Sequence, residues 1–211
     1  MTTTVRRNIP WDELEKEQAS LIAAVTSDPT SAFLLVSEPQ PTFTHGLSAK
    51  PEDLLWNDSA ERGFAVHAAG RGGQWTYHGP GQVLIYPIAY LPMLGYPKRA
   101  ARRFVETLVE SVRAYLESLH IDSNVQCEPY GVYVGDAKIA SFGISLRNGI
   151  SSHGLAFYLT PQHAPFSGII ACGAQNVKTT SLAECGVSLE WDTVANALSG
   201  YIKRGFQASK N

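Results

Sequence analysis

The sequence predicts a mixed α/β fold. Three observations carry that prediction: a long amphipathic stripe between Lys98 and His120, short apolar runs that end at proline or glycine, and a series of strand-like segments from Gly131 to Leu159. A chain of 211 residues can bury one sizeable core, so a single domain over residues 1–211 is expected. With 44% hydrophobic and 17% charged residues the chain reads as globular, and a formal net charge of -2 argues against a strongly basic nucleic-acid binder.

The elements follow in chain order. Trp11, Leu14, Leu21, Ile22 and Val25 recur near helical spacing, with Asp12, Glu13, Glu15, Lys16 and Glu17 on other faces, and Asp28-Pro29 closes this first helix. Ala32 to Val36 is short and apolar, as a buried strand should be, and a second strand is expected at Phe64 to Ala68. Gln82 to Pro87 reads as a third, with Pro87 near its end or on a sheet edge because proline cannot donate to a ladder. Between Lys98 and His120, Phe104, Val105, Leu108, Val112, Tyr115, Leu116 and Leu119 form one stripe of a helix. Gly131 to Val134, Lys138 to Ser145 and Ser152 to Leu159 form an antiparallel meander, divided by turns at Gly135-Asp136 and Asn148-Gly149. Trp191, Val194, Leu198, Tyr201 and Ile202 mark a final helix.

Several classes are disfavoured. The N-terminal stretch has a charged pair and no apolar run of the signal-peptide kind, and no segment approaches the roughly 20 apolar residues that cross a bilayer, so a cytoplasmic protein without membrane association is expected. Cys127, Cys172 and Cys185 are odd in number and lack CxxC spacing, which suits reduced thiols. The six histidines lack the spacing that sets two imidazoles on one helical face, and no metal is expected. Neither dinucleotide nor P-loop fingerprint is present, since the third glycine of the former would fall on Trp75, and no G-x-S-x-G nucleophile elbow occurs.

Two residues then carry candidate chemistry. Cys172, in Ile169-Ile-Ala-Cys-Gly173, is on local context a small buried hydrophobe that needs an activator before it can act as a nucleophile. Lys138 lies in a strand between Ala137 and Ile139, where the ordinary expectation is a side chain facing solvent. Brought together, the lysine's charge would favour the thiolate, and burial would lower the lysine's own pKa toward proton transfer.

The glycine-rich run Arg71-Gly-Gly-Gln-Trp-Thr-Tyr-His-Gly-Pro-Gly-Gln82 resembles the signature of lipoyl(octanoyl) transferases. Two more blocks resemble the same family: Gly131-Val-Tyr-Val-Gly-Asp-Ala-Lys-Ile-Ala-Ser-Phe-Gly143 with His153-Gly-Leu-Ala156, and Pro165-Phe-Ser-Gly-Ile-Ile-Ala-Cys-Gly173 with Thr180-Ser-Leu182. The chain departs from the family pattern at Ala171, where proline is usual, and at Tyr158, where asparagine is common. The first change removes a fixed φ just before Cys172.

The resemblance implies the fold of biotin and lipoate protein ligases: α/β in the α+β sense, with a mixed, largely antiparallel sheet and flanking helices. It implies that Cys172 carries an octanoyl group as a thioester and that Lys138 lowers its pKa and moves protons. It further implies that Arg71, Gly72, Gly73, Gln74, Trp75, Thr76, Tyr77 and His78, with Ser141, Phe142, Gly143, Gly154, Leu155 and Ala156, line the substrate site. Backbone amides near Cys172 or along Arg71 to Gly73 are the candidate oxyanion donors. No cofactor is called for. The implied donor is octanoyl-acyl carrier protein, and the implied acceptors are lipoyl domains of 2-oxoacid dehydrogenase complexes and the glycine cleavage H protein. Because such partners are usually acidic, Arg71, Lys98, Arg99, Arg102 and Arg103 are candidate docking charges. Two rival readings stand beside this one: an ATP-dependent lipoate-protein ligase of the same fold, which needs no cysteine nucleophile, and a catalytically silent carrier-binding module.

Overall fold

A computed structural model describes residues 1–171 and 177–209 of the chain. Its elements run β1 (Thr2–Ile9), α1 (Trp11–Ser27), β2 (Ala32–Pro39), β3 (Thr42–His45), β4 (Ala65–Ala68), β5 (Trp75–His78), β6 (Gln82–Ala89), α2 (Ala101–Ser118), β7 (Asn124–Cys127), β8 (Tyr130–Val134), β9 (Ala137–Arg147), β10 (Ile150–Tyr158), α3 (His163–Phe166) and α4 (Trp191–Ala208). Among the described residues, seven strands form one sheet in the order β1-β2-β6-β10-β9-β8-β7, and β4-β3-β5 form a smaller one. The β1–β2 and β3–β4 pairs are parallel, and the other pairings are antiparallel. No helix among these residues is long and apolar enough to cross a membrane.

Strand alternation sorts the side chains of the large sheet into two cores. Leu34, Val36, Val83, Ile85, Leu155 and Phe157 face α2 and α4, while Leu35, Leu84, Tyr86, Ile88, Ala156 and Tyr158 gather against Trp11, Leu14 and Val25 of α1. Helices α1, α2 and α4 each turn an apolar stripe to the sheet, and this burial outweighs the weak propensity of any short helix taken alone. In α2, Phe104, Leu108, Val112, Tyr115 and Leu116 are buried, and Phe104 stacks on Phe206 of α4 at 5.2 Å between ring centroids.

Two features differ from the expectation set by sequence: the edge strand β1 and the short strands β3, β5 and β7. Strand β1 has no apolar run, yet it pairs in parallel with β2 from Thr2 opposite Phe33 to Arg7 opposite Glu38. Its run of Thr2-Thr-Thr-Val5 suits an exposed edge, and Arg7 closes on the Glu38 carboxylate at 2.9 Å. Helix α2, Ala101–Ser118, lies within the expected stretch between Lys98 and His120, and before it the Ala100 amide turns back to the carbonyl of Pro97. Strands β3, β5 and β7, four residues each, are too short to register as periodicity.

Pro87 sits near the end of its strand, two residues before Ala89, and not at a sheet edge. It lies inside β6, opposite Leu34 of β2, with β10 on the other side. The strand tolerates it because the β6–β10 ladder stops at Ile85 opposite Leu155, and Ser151 Oγ takes over, donating to the Pro87 carbonyl at 2.8 Å and accepting from the Ala89 amide at 3.2 Å.

The stacked pair that joins α2 to α4 sets a stability prediction. Phe104→Ala should cost about 3–5 kcal/mol in urea unfolding, since the emptied site is walled by the sheet and cannot collapse. A loss under about 1 kcal/mol would mean that this pair does not anchor the two helices.

Candidate active site

The glycine-rich loop connects β4 to β5, and its carbonyls are held from one side. The amides of Gly46, Leu47 and Ser48 donate to the carbonyls of Gln74, Arg71 and Gly73 at 3.1–3.2 Å. Gly46 has to be glycine here, because a Cβ would stand 2.4 Å from the Gly73 carbonyl oxygen. The Arg71 guanidinium completes the clamp: Nη1 donates to the carbonyls of Gly72 and Gln74 at 3.1 Å, and Nη2 to Thr44 Oγ1 at 2.8 Å and its carbonyl at 3.2 Å. Arg71 is only 8% exposed, which corrects its expected role as a docking charge. Lys98, Arg99, Arg102 and Arg103 are exposed, with Arg102 paired to Glu106 at 2.9 Å. The Gly72 amide faces the Ile144 carbonyl at 3.4 Å, so this expected oxyanion donor already has a partner.

The loop faces the large sheet across a cavity of about 660 Å³. All of the residues named from sequence as substrate-lining surround it except Tyr77. Ser141, Phe142 and Gly143 of β9 stand opposite Ala156, Leu155 and Gly154 of β10, which makes two separated sequence blocks one wall. Tyr77 turns the other way, into a ring cluster with Phe43, Phe64 and Phe166, where burial pushes its phenol up to about 12.

Six contributors to the cavity, Tyr86, Cys127, Glu128, Pro129, Tyr130 and His153, were not named as substrate-lining from sequence. Tyr86 comes from β6, His153 from β10, and Cys127 and Tyr130 from the β7–β8 hairpin. His153 stands in the quoted His153-Gly-Leu-Ala156 block and could have been found there; the others carry no local signal. Tyr158, one of the two departures from the family pattern, is 1% exposed and meets Ser141 Oγ through its hydroxyl at 2.6 Å. Cys127 and Cys185 are free thiols.

Both cavity histidines are held neutral. The Gln82 amide nitrogen donates to the Tyr77 carbonyl and Gln162 Oε1, so its oxygen faces His78 Nδ1, which must donate at 3.2 Å. The ring stacks on Trp11 at 5.2 Å. Burial, with the nearby Arg71 charge, lowers His78 to about 3, against the opposing pull of Gln82. His153 occupies a left-handed backbone conformation, its amide donates to Gln18 Oε1 at 2.7 Å, and its ring meets Tyr86 edge-on. Burial first, then Arg71 and Arg147, lower it to about 4.

Lys138 is 1% exposed, which corrects the ordinary expectation of a solvent-facing strand position. Its Nζ donates to the Tyr130 carbonyl at 3.1 Å and lies 5.5 Å from the Tyr133 ring centroid. The aliphatic arm crosses the strand at Gly131, where a Cβ would stand 2.8 Å from Lys138 Cε. Along the backbone, the Lys138 amide donates to the Lys178 carbonyl at 2.8 Å, the Thr180 amide donates to the Lys138 carbonyl at 2.9 Å, and Thr179 forms a parallel bridge with Lys138. On the other side, Ala171 packs with Phe43, Trp75, Tyr77 and Ile169. Cys172, the expected nucleophile, lies outside the described residues.

The neutral histidines generate a pH prediction. Their folded-state values lie below the ordinary 6.5, so between about pH 6.5 and about pH 4 the unfolded chain binds more protons. Their stabilising contribution is present above about pH 6.5 and is lost as pH falls through that window. A His78→Asn, His153→Asn double variant should show a flatter stability-versus-pH slope in urea titrations; parallel slopes would show that neither ring is held neutral.

The model for the lipoyl protein ligase A/B catalytic domain matches residues 12–203. An octanoyltransferase of Cereibacter sphaeroides is 34% identical over 210 residues, which span 93% of this chain and 93% of the relative. Among solved structures, lipoate-protein ligase A bound with ATP superposes with a TM-score of 0.73 at 15% identity, covering 99% of this chain and 85% of that one. Biotin protein ligase from Aquifex aeolicus in complex with biotin and ATP gives 0.60 at 13% identity, covering 99% and 72%. These structures share the fold alone, whereas the family match and the octanoyltransferase likeness run through nearly the whole sequence. The chain belongs to the lipoyl protein ligase A/B catalytic-domain family, among its octanoyltransferases.

Proposed function

We propose that this chain transfers an octanoyl group from octanoyl-acyl carrier protein to a lysine of a lipoyl domain, through a thioester on Cys172. The observation that carries the reading is the cavity itself, because residues from two distant blocks of the octanoyltransferase signature meet around it. The donor protein and acceptors such as the glycine cleavage H protein follow from the family's activity. A cytoplasmic location and one catalytic unit over the whole chain are part of the same proposal.

In the first half-reaction the Cys172 thiolate attacks the carrier thioester, the carrier thiol leaves, and the octanoyl chain enters the cavity. Burying its six methylenes is worth about 5 kcal/mol at about 0.8 kcal/mol each, enough to hold the chain between the two partner encounters. In the second, the acceptor amine attacks the same carbonyl and Cys172 is released. Lys138 supports this assignment in two ways: its charge is buried, and its backbone is paired with Lys178 and Thr180, just beyond the Cys172 segment. A lysine so placed favours the thiolate and can take and return a proton.

The ATP-dependent ligase reading has the fold and the family's ligase name behind it, but the ATP-bound ligase structure is only 15% identical. A silent module is disfavoured by the 34% identity to an octanoyltransferase over nearly full length.

Incubation with octanoyl-acyl carrier protein without ATP should add one octanoyl mass, mapped by peptide digestion to Cys172. A label on Cys127, which lines the cavity, or no adduct at all, would contradict the thioester, and full transfer by Cys172→Ser would favour a ligase. Lys138→Ala should raise the pH at which Cys172 reacts with an alkylating reagent; an unchanged alkylation profile would separate the two residues.

A further inference from the structure

A second cavity, of about 720 Å³, has Ala171, Val177, Thr179 and His163 among its lining residues. A chain of hydrogen bonds runs along its rim. His163 Nε2 meets Glu184 Oε1 at 2.6 Å, and His163 Nδ1 meets Thr179 Oγ1 at 3.2 Å. With a carboxylate on Nε2, that nitrogen carries the proton, so Nδ1 accepts from the Thr179 hydroxyl. Glu184 is itself fixed, since Ser181 Oγ donates to Oε2 at 2.8 Å and accepts from the Glu184 amide at 3.3 Å. The result is a carboxylate, an imidazole and a hydroxyl in line, as in hydrolase triads.

The two half-reactions differ in their protons. Exchange of the acyl group from the carrier thiol to Cys172 turns a thioester and a thiol into a thioester and a thiol, with no net proton. Aminolysis turns a thioester and an alkylammonium into an amide, a thiol and one free proton, because a lysine amine with an ordinary pKa of about 10.4 arrives charged. Lys138 can lend a proton to the departing sulfur, but at 1% exposure it has no face of its own on solvent through which to release the extra one.

We propose that Thr179, His163 and Glu184 form the proton outlet of the acceptor half-reaction. Thr179 sits where this is needed: it bridges Lys138 on β9 and borders the cavity beside Ala171 and Val177. The incoming ammonium donates to Thr179 Oγ1, and the Thr179 hydroxyl proton passes to His163 Nδ1. The Glu184 carboxylate balances the imidazolium. The proton then leaves to water from the rim, where the His163 and Glu184 side chains are 55% and 34% exposed. Lys178, the other charged side chain among the described residues lining this cavity, is paired with Asp136. Partial burial acts to raise the Glu184 carboxyl, but the bonds from His163 and Ser181 together hold it below its ordinary value, so it stays ionised at working pH.

The relay rests on the thioester reading, and the test separates the two. Acylation by octanoyl-acyl carrier protein and discharge to a lipoyl domain are timed separately by intact mass, from about pH 6 to about pH 9. Thr179→Val should leave acylation within about twofold and slow discharge at least about tenfold at neutral pH. The deficit should shrink as pH rises toward the amine's own pKa, and Thr179→Ser should restore the rate. His163→Gln, on an exposed ring, should give the same separation. Equal slowing of both halves, unchanged discharge, a deficit independent of pH, or failure of Thr179→Ser to rescue would overturn the relay. Absence of any acyl-enzyme in the unsubstituted chain would overturn the thioester reading and the relay with it.

Discussion

The buried guanidinium of Arg71 is the constraint from which the site takes its form. Its donors are spent on Thr44 of the small sheet and on the carbonyls of Gly72 and Gln74 in its own loop. A buried cation that lost these acceptors would be strongly destabilising, so the loop conformation and the charge hold each other in place. The small sheet is thereby fixed to the cavity. The same charge, added to burial, keeps His78 and His153 neutral. A wall that could have been ionic becomes one an acyl chain can lie against.

Lys138 is the second buried cation, and its setting is different. Its arm crosses Gly131, and its amine donates to a carbonyl of the neighbouring strand. Its backbone takes up the chain as it returns at Lys178 to Thr180. The strand that positions the lysine therefore also anchors one end of the segment carrying Cys172, and the same anchor holds Thr179 against His163. In the proposed reaction, acyl binding, nucleophile activation and proton release occupy adjoining parts of strands β9 and β10 and the loops beside them.

Much of the fold was legible in the sequence where burial imposes a period. The stripe of Phe104, Leu108, Val112 and Tyr115 and the meander from Gly131 to Tyr158 follow directly from it. Strand β1 was not legible, because an exposed edge strand needs no apolar alternation. Pro87 lies near its strand's end as expected, but what lets an interior strand hold it was not legible: Ser151, a partner 64 residues away, repairs the ladder. The burial of Lys138 and Arg71 could not be read locally either, since each is permitted by contacts from other segments, at Gly131 and at Thr44. The residues lining the cavity came largely from family resemblance. Tyr86, Cys127 and Tyr130 were missed because only the folded sheet brings them to it.

The most direct test of the central claim is the crystal structure of the chain trapped after reaction with an octanoyl donor and before an acceptor is added. The expected result is continuous density from Cys172 Sγ into the cavity walled by Arg71, Gly143 and Gly154, with the chain beside the neutral His78 and His153. An octanoyl group bound elsewhere, or held in that cavity without a bond to Cys172, would contradict it.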